Sequence, residues 1–82
     1  MDRKEILENF IESIGFKYDS YSYLYKNYQI DLYNNYNNYY NNYYNFHNGS
    51  EWTWGIPLND ITLLENEFKH ELRSIKLKKI LG

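Results

Sequence analysis

Cysteine is absent from the 82 residues, which excludes disulfides and thiolate chemistry and leaves nothing from which to read a redox compartment. Proline occurs once, at Pro57, and alanine and valine do not occur at all. No apolar run approaches the roughly 18 residues that span a bilayer, and the start "MDRKEILENF" lacks the apolar stretch of a secretory signal. A soluble protein that stays in the cytoplasm where it is made is the expectation, in the host's cytoplasm if the gene is viral. The formal net charge of −2 gives no global attraction to nucleic acid or to a membrane surface.

Asparagine and tyrosine fill the place of the missing types, with 12 Asn and 11 Tyr beside 8 Ile and 7 Lys. These residues have codons that can be written almost entirely with A and T, whereas Ala and Val need a G. The composition resembles that of genes under strong AT bias, as in low-GC bacteria and their phages, so part of the Asn/Tyr richness is mutational background. A chain of this length is one domain, residues 1–82, and buries only about 60 to 65 per cent of its unfolded surface. Its large apolar side chains, from Ile6 to Ile75, suffice for one small core.

Asp2 followed by Glu5 fits a capping box, and Ile6, Leu7, Phe10, Ile11 and Ile14 recur as one amphipathic stripe. A helix is predicted over 3–14 with Gly15 as its stop. From Phe16 the period changes to two. "YSYLYKNYQIDLY" reads as strands Tyr21 to Tyr25 and Tyr28 to Tyr33 around a turn at Lys26 and Asn27, with Asn supplying positive φ. Leu24 marks one face of the first strand, and Tyr28, Ile30 and Leu32 one face of the second. Asn48-Gly49 predicts a type I′ hairpin, so that a third strand ends near Phe46 and a fourth starts near Glu51 with Trp52 and Trp54 on one face.

The tract "NNYNNYYNNYYNF" has tyrosines at near-helical spacing but no strong helix former. It is read as a connection over 34–38 and a strand over 39–46, against the alternative of a low-complexity tract of prion-like composition. After Pro57, Asn59 or Asp60 caps a helix in which Ile61, Leu64, Phe68, Leu72 and Ile75 share one side. Unbroken to Leu81, that helix is about 32 Å long and overhangs the sheet, leaving Leu77, Ile80 and Leu81 to be covered. The expected fold class is α+β in two layers: helix, four-stranded antiparallel meander, helix, with both helices on one face.

On such a sheet, strand alternation sends part of Tyr21, Tyr23, Tyr25, Tyr33, Tyr39 and Tyr43 to the outward face, among uncharged Asn neighbours. Between Asn27 and Ser50 the sole formal charge is Asp31. Aromatic surface with little charge is what the centre of a protein interface consists of, since Tyr combines contact area with a hydroxyl. The same pattern arises from AT-biased drift. A single-stranded nucleic-acid platform would need a basic groove beside the tyrosines, and the cations Arg73, Lys76, Lys78 and Lys79 gather instead at the C-terminus, where they form a secondary contact or a solvated face. Glu5, Glu8 and Glu12 share one side of the first helix, as a solvated face or a phosphate-like array. Glu65 and Lys69 are spaced for an ion pair.

His47 and His70 are the two imidazoles, distant in sequence, and no nucleophile elbow, Gly-rich phosphate loop or metal-ligand spacing accompanies them. Neither an enzyme nor a cofactor or metal is expected. In size, composition and layout the chain resembles the small inhibitors made by phages and mobile elements, including anti-CRISPR proteins. That resemblance implies a stoichiometric binder of a larger protein, such as a nucleic-acid-processing defence complex. The alternatives are single-stranded nucleic-acid binding through the tyrosine-rich face and a self-assembling module, with homodimerisation through the C-terminal helix.

Overall fold

The computed structural model describes residues 2–32 and 42–81, the side chains of 79–81 excepted. Helix α1 (Arg3–Ile14) starts where Asp2 Oδ1 accepts the Glu5 amide at 2.8 Å. It stops at Gly15, where the Gly15 amide donates to Glu12 O and the Phe16 amide to Ile11 O in a Schellman-type closure. Gly15 has φ +133, and a Cβ there would meet the Tyr25 ring at 2.7 Å. Gly15→Ala is therefore expected to cost about 1 to 3 kcal/mol from strain and overpacking combined. Urea denaturation measures it, and a loss below about 0.5 kcal/mol would contradict the account.

Five strands follow, β1 (Lys17–Asp19), β2 (Ser22–Tyr25), β3 (Tyr28–Leu32), β4 (Tyr43–His47) and β5 (Trp52–Pro57), in one antiparallel meander of sheet order β1-β2-β3-β4-β5. The expected four strands become five. All three residues of β1 are exposed, so it shows no burial alternation to read; backbone pairing with β2 and the burial of the preceding Phe16 hold it in place. The β2–β3 turn falls at Lys26 and Asn27, but Lys26 takes the positive φ of 52°, not Asn27. Asn48-Gly49 does not form the two-residue type I′ turn. His47 pairs with Trp52 across a longer loop, in which Asn48 Oδ1 accepts the amides of Ser50 and Glu51, both at 2.9 Å. That side-chain turn replaces the backbone one. The connection over 34–38 and the first three residues of the strand expected over 39–46 lie outside the described residues.

Two helices close the chain, α2 (Thr62–Glu67) and α3 (Lys69–Leu81), where one unbroken helix is expected. The bend falls at Phe68 (φ −111, ψ 32), yet the Phe68 amide still donates to Leu64 O and the Leu72 amide to Phe68 O. The chain bends without a break in hydrogen bonding because Phe68 is drawn into the core, where its ring lies 4.7 to 6.1 Å from those of Phe16, Tyr25, Tyr28 and Phe46. Ile61 stands at the cap position of α2 without a side-chain bond, and Asp60 Oδ1 accepts the Thr62 amide at 3.1 Å. No ion pair joins Glu65 to Lys69; Lys26 Nζ instead lies 3.9 Å from Glu71 Oε1, tying the β2–β3 turn to α3.

One core lies between the sheet and the three helices. Leu7, Ile11 and Ile14 from α1 and Leu64 and Phe68 from the C-terminal helices pack on Tyr23, Ile30, Tyr44, Phe46 and Ile56. The architecture is thus α+β, with α1, α2 and α3 on one face of the sheet. Four aromatic rings around Phe68, offset or edge-on to it, are the arrangement in which aromatic pairs add stability beyond their buried area. Among the described residues no helix is long and apolar enough to cross a membrane.

Candidate functional site

Parity along the strands decides which side chains the helix-free face receives. Tyr23 pairs with Ile30 and Tyr25 with Tyr28, so the three tyrosines share the inner face with fully buried Ile30. Leu24, expected to point the same way as the core residues, points outward, while Tyr23 is only 5% exposed. This corrects the assignment of Tyr23 and Tyr25 to the outward face. A one-residue slip would bury Gln29 and Asp31 in place of Tyr28 and Ile30, and that polar cost fixes the register.

The inward tyrosines find partners there. Tyr23 Oη donates to Glu8 Oε2 at 2.6 Å and, more weakly, to Glu12 Oε1 at 3.4 Å. Burial first, and then the Glu8 bond and charge, hold this phenol protonated well above its ordinary value. Two of the three carboxylates expected as a solvated array are thereby anchored to the core. Tyr44 Oη donates to Asp60 O at 2.7 Å, and burial raises its pKa too, with the Asp60 charge adding to it. Tyr25 is half-buried against Phe16 and Phe68.

Of the other expected contact residues, Tyr21 stands 87% exposed at the β1–β2 turn and Tyr43 is on the outer face. Tyr33 and Tyr39 lie outside the described residues. Arg73, Lys76 and Lys78 are exposed on α3, in the helical layer and not on the sheet face; the side chain of Lys79 is outside the described residues.

The outer face can be traced strand by strand. One row runs Lys17, Leu24, Gln29, His47, Trp52, each paired with the next. The next row holds Asp19 opposite Ser22, then Asp31 opposite Asn45. Ser22 Oγ donates to Asp31 Oδ1, and Gln29 Nε2 donates to both Ser22 Oγ (3.0 Å) and Asp31 Oδ1 (3.1 Å). At the edge, the β4–β5 register shifts in a bulge that places Trp54 and Gly55 opposite Asn45. Gly55 takes φ +67, and its amide donates to Oδ1 of buried Asn45 at 2.9 Å.

The bulge displays the indoles. Trp54 stacks on Trp52 with centroids 4.9 Å apart and planes at 22°, and the His47 ring lies 4.9 Å from Trp52 at 55°. Trp54 remains 63% exposed, with one ring face against Trp52 and the other toward solvent. The sequence signal for this strip is Trp52 and Trp54 at strand alternation.

His47 is half-buried in β4, and its Nδ1 accepts the Gly49 amide at 3.2 Å. His70 is elsewhere, exposed on α3. Among the described residues no cluster of three or more His, Cys, Asp or Glu is placed to hold a metal ion. The arrangement suits contact by stacking and hydrogen bonding. Comparison of the chain with protein-family models, curated proteins and solved structures gave no match.

Proposed function

We propose that this chain is a small non-enzymatic protein that binds a larger protein stoichiometrically through the helix-free face of its sheet. The observation that supports it is the stacked, outward Trp52–Trp54 pair with His47 beside it, on a face that no helix among the described residues covers. Tryptophan is the residue type most enriched among those that dominate binding energy, and Leu24 and Tyr43 extend the contact area around it. Edge strand β5 is ill suited to sheet extension, because its bulge and Pro57 interrupt the free edge. Side chains of the face, and not its edge, are the contact.

The resemblance in size, composition and layout to phage inhibitors of the anti-CRISPR type supports a narrower reading, in which the target is a host defence nuclease blocked by occupation of its surface. Affinity capture with the tagged chain, with and without nuclease treatment, tests the proposal. A partner retained after nuclease at about one-to-one stoichiometry is expected, with affinity at least about 10-fold weaker for Trp54→Ala. Neutralising Arg73, Lys76 and Lys78 should change it little. Capture lost on nuclease treatment would move the assignment to a nucleic-acid platform, and capture indifferent to Trp54 would remove the face from the site.

A further inference from the structure

The charges on the same face specify the chemistry of its partner. Its carboxylates are Asp19 and Asp31, with Glu51 beside Trp52 in the hairpin loop, and its one ammonium, Lys17, sits four strands from the indoles. Asp31 is held rigidly: Ser22 and Gln29 both donate to Oδ1, and among the described residues nothing donates to Oδ2. By strand spacing it lies about 10 Å from Trp54 across β4. The open indole face of Trp54 is electron-rich, and tryptophan is the strongest cation–π partner among side chains.

We infer that this face receives an arginine-bearing segment of the partner, one guanidinium stacked on Trp54 and another paired with Asp31, with Glu51 adding to the field. The inference rests on the reading above that the face binds a protein. Guanidinium fits better than ammonium because a planar cation can lie against the indole while its edge N–H groups remain free for a carboxylate. The face offers phosphates carboxylates in place of cations, so a nucleic-acid strand meets repulsion there.

Both tryptophans of the chain lie in the strip, so tryptophan fluorescence, excited at wavelengths beyond the absorption of the 11 tyrosines, reports on this site. The intact protein is titrated with the peptide Gly-Arg-Gly-Gly-Arg-Gly, its glutamate counterpart and a thymidine oligonucleotide. A saturable change with the arginine peptide alone is expected. It should weaken by about 2- to 30-fold in Trp54→Ala, read through Trp52. It should also weaken by about 3- to 10-fold in Asp31→Asn combined with Glu51→Gln, exposed or half-exposed positions where neither change alters a side chain's size, and fall as salt rises.

No saturable response to the arginine peptide, an equal response to the glutamate peptide or the oligonucleotide, or binding unchanged in the charge variant would each overturn the inference. Those results leave the broader proposal standing if capture of a protein partner still depends on Trp54. A capture indifferent to Trp54 overturns both.

Discussion

Phe68→Ala is expected to lower the stability of this protein by about 3 to 5 kcal/mol, the largest effect of any single truncation in the chain. Phe68 is fully buried and meets four other rings, Phe16, Tyr25, Tyr28 and Phe46, that arrive from three different strands and the α1–β1 junction. Removing it opens a cavity that these rings cannot fill, since Tyr25, Tyr28 and Phe46 are themselves fixed in a near-parallel ladder with planes within 13° of one another at each step. A domain of this size has a total stability of about 4 to 12 kcal/mol, so the variant should unfold at 37 °C or melt at least about 15 °C lower. Leu77→Ala, at an exposed position on α3, should shift stability by no more than about 0.5 kcal/mol. Urea titrations followed by circular dichroism compare the two. A loss below about 1 kcal/mol at Phe68 would show that the aromatic cluster is not the centre of the core.

Above pH 10 the protein should lose stability steeply. Tyr23 and Tyr44 both hold their protons in the folded state well past the ordinary value of 10.0, through burial first and then neighbouring Glu8, Glu12 and Asp60. In the unfolded chain these phenols ionise near pH 10, so above that pH the unfolded state binds fewer protons than the folded one and stability falls as pH rises. Below pH 10 both states are protonated and the contribution is fully present. Each phenol adds a slope of up to about 1.4 kcal/mol per pH unit, so the pair brings the fold to its limit within about two to three units. Tyr23→Phe should cost about 1 to 2 kcal/mol at pH 7 through the lost bond to Glu8. It should also reduce the alkaline slope by up to half. Thermal melts between pH 7 and 12 measure both, and an unchanged slope in Tyr23→Phe and Tyr44→Phe would refute the linkage.

The character of the outer face is partly legible in the sequence. That aromatic side chains would line a surface with little charge follows from composition, but which aromatics stand outward depends on parity, and parity is fixed by turns. The two-residue turn at Lys26 and Asn27 ties Tyr23 and Tyr25 to the side of Ile30. With Leu24 marking the core side of its strand, alternation sends Tyr23 and Tyr25 outward. The structure reverses them at Tyr23 and Leu24 because α1 supplies Glu8 and Glu12 as acceptors for a buried phenol, a compensation made by a residue eleven or fifteen positions away. β1 is not legible for a related reason, since all three of its residues are exposed and leave no burial alternation in the sequence.

By itself, then, the sequence determined what local chemistry controls: the start and stop of α1 at Asp2 and Gly15, the apolar stripe of that helix, the inward set Tyr28, Ile30 and Leu32, the alternation of Trp52 and Trp54, and the α+β class. These follow from hydrogen bonds and periodicities that span a few residues. The bend at Phe68, the bulge at Gly55, the burial of Tyr23 and the exposure of the tryptophan strip were decided by the tertiary structure. Each of these is a choice between locally equivalent conformations, and what separates them is the free energy of packing and pairing with residues distant in the chain, such as Phe16, Asn45 and Glu8.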